Sequence, residues 1–252
     1  MTIPVKERST DRIRPAYRFY HLAWAGLDLL YPPQCGGCSK PGARWCSECQ
    51  RDSPQVGLPL CDCCGVHWAA GRLCLDCQTE RPAFDAVRSW GYFEGVLRHA
   101  IHQLKYYGDL ALGEALARPM INLYSGLPWK VDLVVPVPLG VARRAERGYN
   151  QASLLAWPIA LSCGLAYRPK ALRRWRDTPS QVGLDMLERR KNLIDAFQAR
   201  PDLVDGKAVM LVDDVTTTGA TMQACALALR KAGASRIYGL TLARTAYQPA
   251  QI

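Results

Sequence analysis

One segment near the C-terminus constrains the fold of this chain more than any other. Residues 209–221 read VMLVDDVTTTGAT: four apolar residues, two aspartates, a threonine-rich turn and a helix-forming run. A short apolar run that leads through a turn into a helix predicts a buried strand followed by a helix, the repeating unit of parallel sheets. The segment therefore predicts an α/β domain with this turn at the carboxyl end of a strand, where open sheets bind their ligands.

The residue types in this turn suit a phosphorylated ribose. The two acids are acceptors for vicinal ribose hydroxyls, and the threonine hydroxyls and N–H groups of a helix N-terminus suit a 5′-phosphate. Gly219 permits close approach of the backbone. A polar turn with Asp and Thr as helix caps is the alternative, but two acids before TTTGAT are more specific than capping requires. The candidate binding residues are Asp213, Asp214, Val215, Thr216, Thr217, Thr218, Gly219, Ala220 and Thr221.

The chain after Phe84 alternates between apolar strands and amphipathic helices. Strand, helix and strand at this spacing form βαβ units, which predict a mostly parallel sheet flanked by helices. A short helix is also expected at 18–30, with an apolar face that packs on the rest of the protein. The other predicted helices are 96–107, 110–124, 150–163 and 220–232, and the predicted strands are 131–137, 207–212 and 236–242.

Residues 35–77 are of a different kind, because nine of the eleven cysteines and few aliphatic residues lie there. Such a segment cannot build an apolar core and needs another source of stability. Four Cys-x-x-Cys pairs supply the ligands of two tetrahedral zinc sites, and closed four-cysteine sites are structural rather than catalytic. The pairs are Cys35 and Cys38, Cys46 and Cys49, Cys61 and Cys64, and Cys74 and Cys77.

The short gaps within each half favour a sequential arrangement, with the first two pairs around one zinc and the last two around the other. Spacing alone leaves an interleaved pairing open. We expect Cys63 to be a spare thiol, His67 not to be a ligand, and Cys163 and Cys225 to be small buried residues of helices. The expected parts are a leader with a short helix (1–30), a double zinc ribbon (31–80) and the α/β domain (81–252).

The acidic turn resembles the phosphoribosyl pyrophosphate (PRPP) motif of type I phosphoribosyltransferases, although Thr216 occupies a position that is usually aliphatic or bulky. Together with the cysteine pairs and four further motifs, it resembles the ComF family of competence proteins and the related GntX-like proteins. The resemblance covers roughly residues 25–245. The further motifs are IHQLKY at 101–106, VPVPL at 135–139, RGYNQ at 147–151 and a polar stretch from Thr178 to Phe197.

The resemblance implies a type I phosphoribosyltransferase fold with an N-terminal double zinc ribbon, and PRPP bound with magnesium. It implies a pyrophosphate loop after VPVPL, where arginine forks suit the ligand. Lys105, Arg143 and Arg147 are the candidate contacts, with plain surface charge as the alternative. A mobile loop over PRPP is implied at 173–190. Members are linked to natural transformation and to growth on DNA, and are thought to act near single-stranded DNA with a helicase-like partner.

Positive charge is concentrated in one part of the chain. The formal net charge is +10, and residues 139–200 hold 12 basic side chains against five acidic ones. Basic residues near the rings of Trp157, Tyr167 and Trp175 suit single-stranded DNA. A solvated basic face is the plainer alternative, and we expect Trp157 to belong to the core.

Three functions remain open. The first is a PRPP-dependent enzyme, either a phosphoribosyltransferase with an unknown acceptor or a hydrolase that uses water. The second is a module that handles single-stranded DNA and takes PRPP as a ligand or regulator. The third is a docking role for the zinc ribbon with a vestigial PRPP site, although the turn keeps both acids and its threonines.

No segment suits a membrane span, because His21 and Asp28 interrupt the most apolar early stretch. The N-terminus also lacks the pattern of a secretion signal. We therefore expect a cytoplasmic protein, in which thiols stay reduced and disulfides do not form.

Overall fold

The computed structural model describes residues 14–30, 32–176 and 196–246. A five-stranded, fully parallel sheet lies at its centre, in the order β1-β7-β6-β2-β3, and a separate antiparallel pair is formed by β4 and β5. This confirms the predicted α/β class. The strands are β1 (Ala86–Tyr92), β2 (Leu133–Pro136), β3 (Ala166–Tyr167), β4 (Leu172–Arg174), β5 (Phe197–Ala199), β6 (Ala208–Thr216) and β7 (Arg236–Arg244).

Helices cover both faces of the sheet, and the side chains of β6 alternate between two cores as the pleat requires. Met210 and Val212 join one core with α4, α5 and α7, whereas Val209 and Leu211 join the other with α9. The helices are α1 (Pro15–Leu30), α2 (Ser47–Asp52), α3 (Leu75–Thr79), α4 (Gly95–Tyr106), α5 (Leu110–Ser125), α6 (Val141–Arg147), α7 (Gln151–Cys163), α8 (Pro201–Val204) and α9 (Ala220–Lys231). None of the helices in these ranges is long and apolar enough to cross a membrane.

The first helix forms as predicted, and two residues of its expected apolar face are exposed. Leu22 is 65% exposed and Ala25 is also exposed. Polar contacts join the helix to α5. The hydroxyl of Tyr17 donates to Glu114 at 2.9 Å, and Glu114 is buried on α5.

Several elements differ from the sequence-based expectation, and the short elements β3, β4, β5, α2, α3 and α8 were not predicted. β6 was expected to end at Val212 but continues through both aspartates to Thr216, because β7 runs to Arg244 and pairs with it throughout. α6 was expected only as a basic segment, and β1 was not predicted. Gly148, at φ 77°, ends α6 in the left-handed conformation that glycine favours.

The cysteine-rich module covers the edge of the sheet formed by β1. The N–H of Val87 donates to the carbonyl of Cys63 at 2.7 Å, and Gln55 forms a bridge with Gly91. An uncovered edge strand presents unpaired backbone groups, so the module completes the hydrogen bonding of β1.

Candidate functional site

The threonine-rich turn lies between β6 and α9, at the carboxyl end of the strand. Gly219 caps the 12-residue helix in the left-handed region, at φ 78°, and no atom lies within 4 Å of the position that a Cβ would take. Thr217 and Thr218 are exposed. Asp213 and residues 215–222 line a pocket here. The pocket therefore opens at a helix N-terminus, which favours an anion.

The two acids occupy different environments, because neighbouring residues of a strand point to opposite faces. Asp213 borders the pocket, and its Oδ1 accepts from the N–H of Asp214 at 2.9 Å. Asp214 is 4% exposed, and its Oδ2 lies 2.6 Å from Nζ of Lys105. Desolvation and the adjacent charge of Asp214 raise the pKa of Asp213 well above its ordinary value. Only the first acid faces the pocket directly.

Lys105 comes from the last turn of α4, which brings that helix to the ligand edge of the sheet. Its ammonium binds Asp214 and lies 5.9 Å from the ring centroid of Phe93. The predicted pyrophosphate contact is therefore the counterion of the second acid in this structure.

Arg147 lies beside the same turn of α4. Its Nη1 donates to Oε1 of Gln151 at 3.1 Å, and its guanidinium lies 4.8 Å from the ring centroid of Tyr106. Its buried Nε has no acceptor within the described ranges. Arg143 is exposed on α6. The last turn of α4 thus contacts both the acid pair and the predicted arginine, while Arg143 is not drawn into these contacts.

The RGYNQ motif fastens the segment after β2 to its surroundings. The hydroxyl of Tyr149 donates to the carbonyl of Leu104 at 2.6 Å. Asn150 donates to the carbonyl of Val137 at 3.0 Å and caps α7 by accepting from the N–H of Ala152 at 3.0 Å. The sequence pattern marked this motif but not its structural contacts.

The eight paired cysteines form two clusters in the sequential arrangement, which excludes the interleaved one. The first contains Cys35, Cys38, Cys46 and Cys49, and the second contains Cys61, Cys64, Cys74 and Cys77; within each, the sulfurs all lie within 4.8 Å of one another. The Cys35–Cys49 and Cys64–Cys74 sulfurs are 3.6 and 3.5 Å apart. Tetrahedral zinc with bonds of about 2.3 Å requires sulfurs about 3.8 Å apart. Both donor sets therefore fit zinc.

Backbone N–H groups support the thiolate form of one ligand in each cluster, whereas burial and neighbouring thiols raise the pKa values of four other ligands. The N–H groups of Gly37 and Cys46 donate to Sγ of Cys35 at 3.4 and 3.5 Å. Burial opposes ionisation, but such hydrogen bonds lower the pKa of Cys35 to about 6. Burial likewise opposes ionisation of Cys61, and backbone donors that include Cys74 lower its pKa to about 7. Thiolates are the form that binds metal.

The remaining candidates are not part of either four-cysteine set. Cys63 is 3% exposed, its Sγ lies 3.8 Å from the carbonyl oxygen of Phe84, and its thiol also interacts with that of Cys77. His67 is exposed, with Nδ1 3.1 Å from the carbonyl oxygen of Gly57. Cys225 is buried as expected, whereas Cys163 is only half-buried.

The aromatic residues of the basic segment correct one expectation. Trp157 is 40% exposed and meets Tyr167 edge-to-face, with ring centroids 5.0 Å apart, so its assignment to the core is wrong. Trp175 is 51% exposed, and the guanidinium of Arg176 lies 4.1 Å from its ring centroid. Most of the expected mobile loop lies outside the described residues, and so do the motif residues Thr178, Gln181, Leu184, Arg190 and Asn192.

Comparisons with known proteins agree with this architecture. The double zinc ribbon domain family matches residues 26–78, and the phosphoribosyl transferase domain family matches residues 103–250. The chain is 33% identical to the DNA utilization protein YhgH of Salmonella typhi, over 86% of this chain and 99% of that protein. It is 30% identical to competence protein F of Haemophilus influenzae, over 79% and 90%. It is 26% identical to competence protein ComFC of Bacillus subtilis, over 89% and 90%.

Proposed function

This chain belongs to the ComF-type family of double-zinc-ribbon phosphoribosyltransferase-domain proteins, and we propose that it binds PRPP at the turn between β6 and α9. The observation that carries the proposal is the pocket that joins the carboxylate of Asp213 to the open N-terminus of α9. A carboxylate acceptor beside an anion-binding helix end matches the hydroxyls and 5′-phosphate of one ribose phosphate.

The positions of these residues favour one orientation of bound PRPP. The 5′-phosphate lies against residues 217–221, and the ribose hydroxyls donate to Asp213. Asp214 stays buried behind it, where Lys105 neutralises its carboxylate. The pyrophosphate then extends towards the segment after β2, where Arg143 and Arg147 supply positive charge. Magnesium bound with PRPP would neutralise the charge that develops on the pyrophosphate.

The reaction that this arrangement supports is displacement at the anomeric carbon. The bond from that carbon to the pyrophosphate oxygen breaks, and its electron pair leaves with the pyrophosphate. A bond forms to water or to an acceptor, which loses a proton. Asp213 holds the ribose throughout, and the arginines after β2 stabilise the leaving group. The names of the relatives, DNA utilization protein and competence protein F, support a role in DNA uptake or use.

Thermal unfolding in the presence of PRPP and magnesium tests the proposal. A ligand that binds only the folded state adds about 2.7 kcal/mol to the free energy of unfolding at 100 times its dissociation constant. We expect the midpoint to rise with PRPP, to rise less with ribose 5-phosphate and to stay constant with ribose. An unfolding midpoint that does not change when PRPP is added would contradict the proposal.

A second candidate, single-stranded DNA handling with PRPP as a regulator, is favoured by the exposed pair of Trp175 and Arg176. An exposed ring beside a guanidinium suits base stacking. Binding of a fluorescent oligonucleotide should weaken steeply with salt and fall in Trp175→Ala. Binding without pyrophosphate release from PRPP supports this candidate, whereas pyrophosphate release without DNA supports the enzyme.

A further inference from the structure

Two arginines of the sheet, the half-buried Arg88 and the buried Arg244, bind the second cysteine cluster. Arg88 on β1 donates to the carbonyls of Cys61 and Asp62 at 3.3 and 3.1 Å. Arg244, the last residue of β7, is 5% exposed, and its Nη1 donates to the carbonyl of Cys64 at 2.9 Å. Cys64 belongs to the ligand set, so this hydrogen bond joins the cluster directly to the end of β7.

The end of β7 is also the partner of the strand that carries the turn. Arg244 is paired with Thr216, the last residue of β6. The N–H of Thr245 donates to the carbonyl of Thr216 at 3.1 Å. Thr216 immediately precedes Thr217, the first exposed residue of the turn. One arginine therefore contacts the cysteine cluster and pairs with the last strand residue before the turn.

The first cluster rests on another part of the protein. Gly36 lies between the ligands Cys35 and Cys38, and a Cβ at this position would lie 2.7 Å from the side chain of Leu112 on α5. This turn of the first cluster therefore packs tightly against α5. Arg44 binds Asp28 of α1 and Asp109, the N-cap of α5. This cluster therefore docks on the helical layer rather than on the end of β7.

We propose that Arg244 is a positioning residue through which metal at the second cluster sets the affinity of the turn for PRPP. The inference rests on the PRPP binding proposed above. Bound metal fixes Cys64 and hence its carbonyl. When the metal is lost, the buried guanidinium loses the fixed acceptor of its Nη1. This loss is costly because its Nε already lacks an acceptor within the described ranges.

The consequence reaches the turn through the strand pair. This end of β7 keeps its pairing with β1, where the N–H of Phe93 donates to the carbonyl of Arg244 at 2.7 Å. Without the guanidinium contact to the cluster, it pairs less firmly with Thr216 on its other side, and the turn samples more conformations. PRPP must then order the turn as it binds, which weakens the observed affinity. The first cluster makes no hydrogen bond to the Arg244 side chain within the described ranges. The chain that follows it contacts β1 instead, where the N–H of Tyr92 donates to the carbonyl of Pro54 at 2.7 Å. Loss of its metal should therefore change PRPP affinity much less.

The test compares one ligand substitution in each cluster of the full-length protein. Cys77→Ser removes a ligand from the second cluster and Cys49→Ser removes one from the first. PRPP affinity is measured by calorimetry with magnesium, well below each variant's unfolding midpoint, and bound zinc is counted. We expect Cys77→Ser to weaken binding on the order of tenfold and Cys49→Ser to change it less than about twofold.

Variants of the arginines separate positioning from stability and decide the matter if Cys77→Ser does not fold. Arg244→Met should weaken PRPP binding with both zinc ions kept, and Arg244→Lys should restore part of the affinity. Arg88→Met is the matched control, because Arg88 also donates to carbonyls of the second cluster. It lies on β1, which β7 separates from β6. This variant should lower the unfolding midpoint and leave PRPP affinity unchanged.

Two outcomes overturn the inference while the proposed function stands. One is equal PRPP affinity in the wild type, Cys77→Ser and Arg244→Met. The other is an equal loss in Cys49→Ser and Cys77→Ser, or in Arg88→Met and Arg244→Met. A wild-type protein that does not bind PRPP overturns both the inference and the proposed function.

Discussion

Asp213 is kept ready for a ligand at a cost to the unliganded protein. Partial burial and the adjacent charge of Asp214 raise the pKa of the Asp213 carboxyl well above the ordinary value. An acid whose pKa is higher in the folded state makes folding less favourable as pH rises through that pKa. We therefore expect PRPP binding to Asp213 to offset this unfavourable contribution to folding.

Asp213→Asn should stabilise the unliganded protein at neutral pH and abolish PRPP binding. The amide keeps the acceptor for the N–H of Asp214 but carries no charge. Unfolding midpoints measured between pH 4 and pH 8 should show the gain at neutral pH. The gain should shrink as pH falls towards the carboxyl's ordinary pKa, because the wild-type carboxyl is then protonated in the unfolded state as well as in the folded state.

Asp202→Asn is the control for this measurement. Asp202 is exposed, and its hydrogen bond with Arg200 lowers its pKa, which is the opposite shift. Its replacement should bring no gain in stability at neutral pH. If Asp213→Asn also brings none, the raised pKa of Asp213 does not describe the protein in solution.

For single residues, the sequence predicted where the turn between strand and helix lies, but not which side chains its acids contact. The run from Asp213 to Thr221 was recognisable because consecutive residues build one turn. The ion pair of Lys105 with Asp214 joins residues more than 100 positions apart, and no local pattern encodes it. Trp157 was assigned to the core because it lies within an apolar helix, yet it projects outward beside Tyr167.

Among the elements, those with a hydrophobic period were predictable and those without one were not. α4, α5, α7 and α9 carry apolar faces and were predicted within one or two residues at each end. α6 has no buried residue, so its sequence shows no apolar stripe. The extension of β6 to Thr216 depends on pairing with β7, which its own residues do not reveal.

Asn150→Ala tests how the RGYNQ motif joins two elements. The variant loses the N-cap of α7 and the hydrogen bond to Val137 at the end of β2. We expect the free energy of unfolding to fall by about 1–2 kcal/mol in chemical denaturation. Asn122→Ala, at an exposed position within α5, is the matched control and should cost almost nothing. Equal effects of the two substitutions would contradict the capping role.

For the whole molecule, the cysteine-rich module is part of the architecture and not an appendage. It supplies hydrogen bonds to the edge strand β1, and its second cluster receives Arg88 and Arg244 from the sheet. Spacing predicted two four-cysteine sites, and three-dimensional proximity settled their pairing. The docking of the module on the sheet was not predictable, because it uses backbone carbonyls, which every sequence has.

Metal analysis of the purified protein should find two zinc ions per chain. Cys49→Ser and Cys77→Ser should each retain one ion tightly, since each removes a ligand from a different cluster. Cys63→Ser is the matched control, because Cys63 lies outside both clusters, and it should keep two. A drop to one ion in Cys63→Ser would mean that this thiol is a ligand.

Calorimetric titration of PRPP with magnesium tests the central claim most directly. The intact protein should bind about one PRPP per chain, and the double variant Asp213→Ala, Asp214→Ala should show no heat of binding while it remains folded. The claim is contradicted if the intact protein takes up no PRPP, or if the double variant binds it as tightly as the intact protein does.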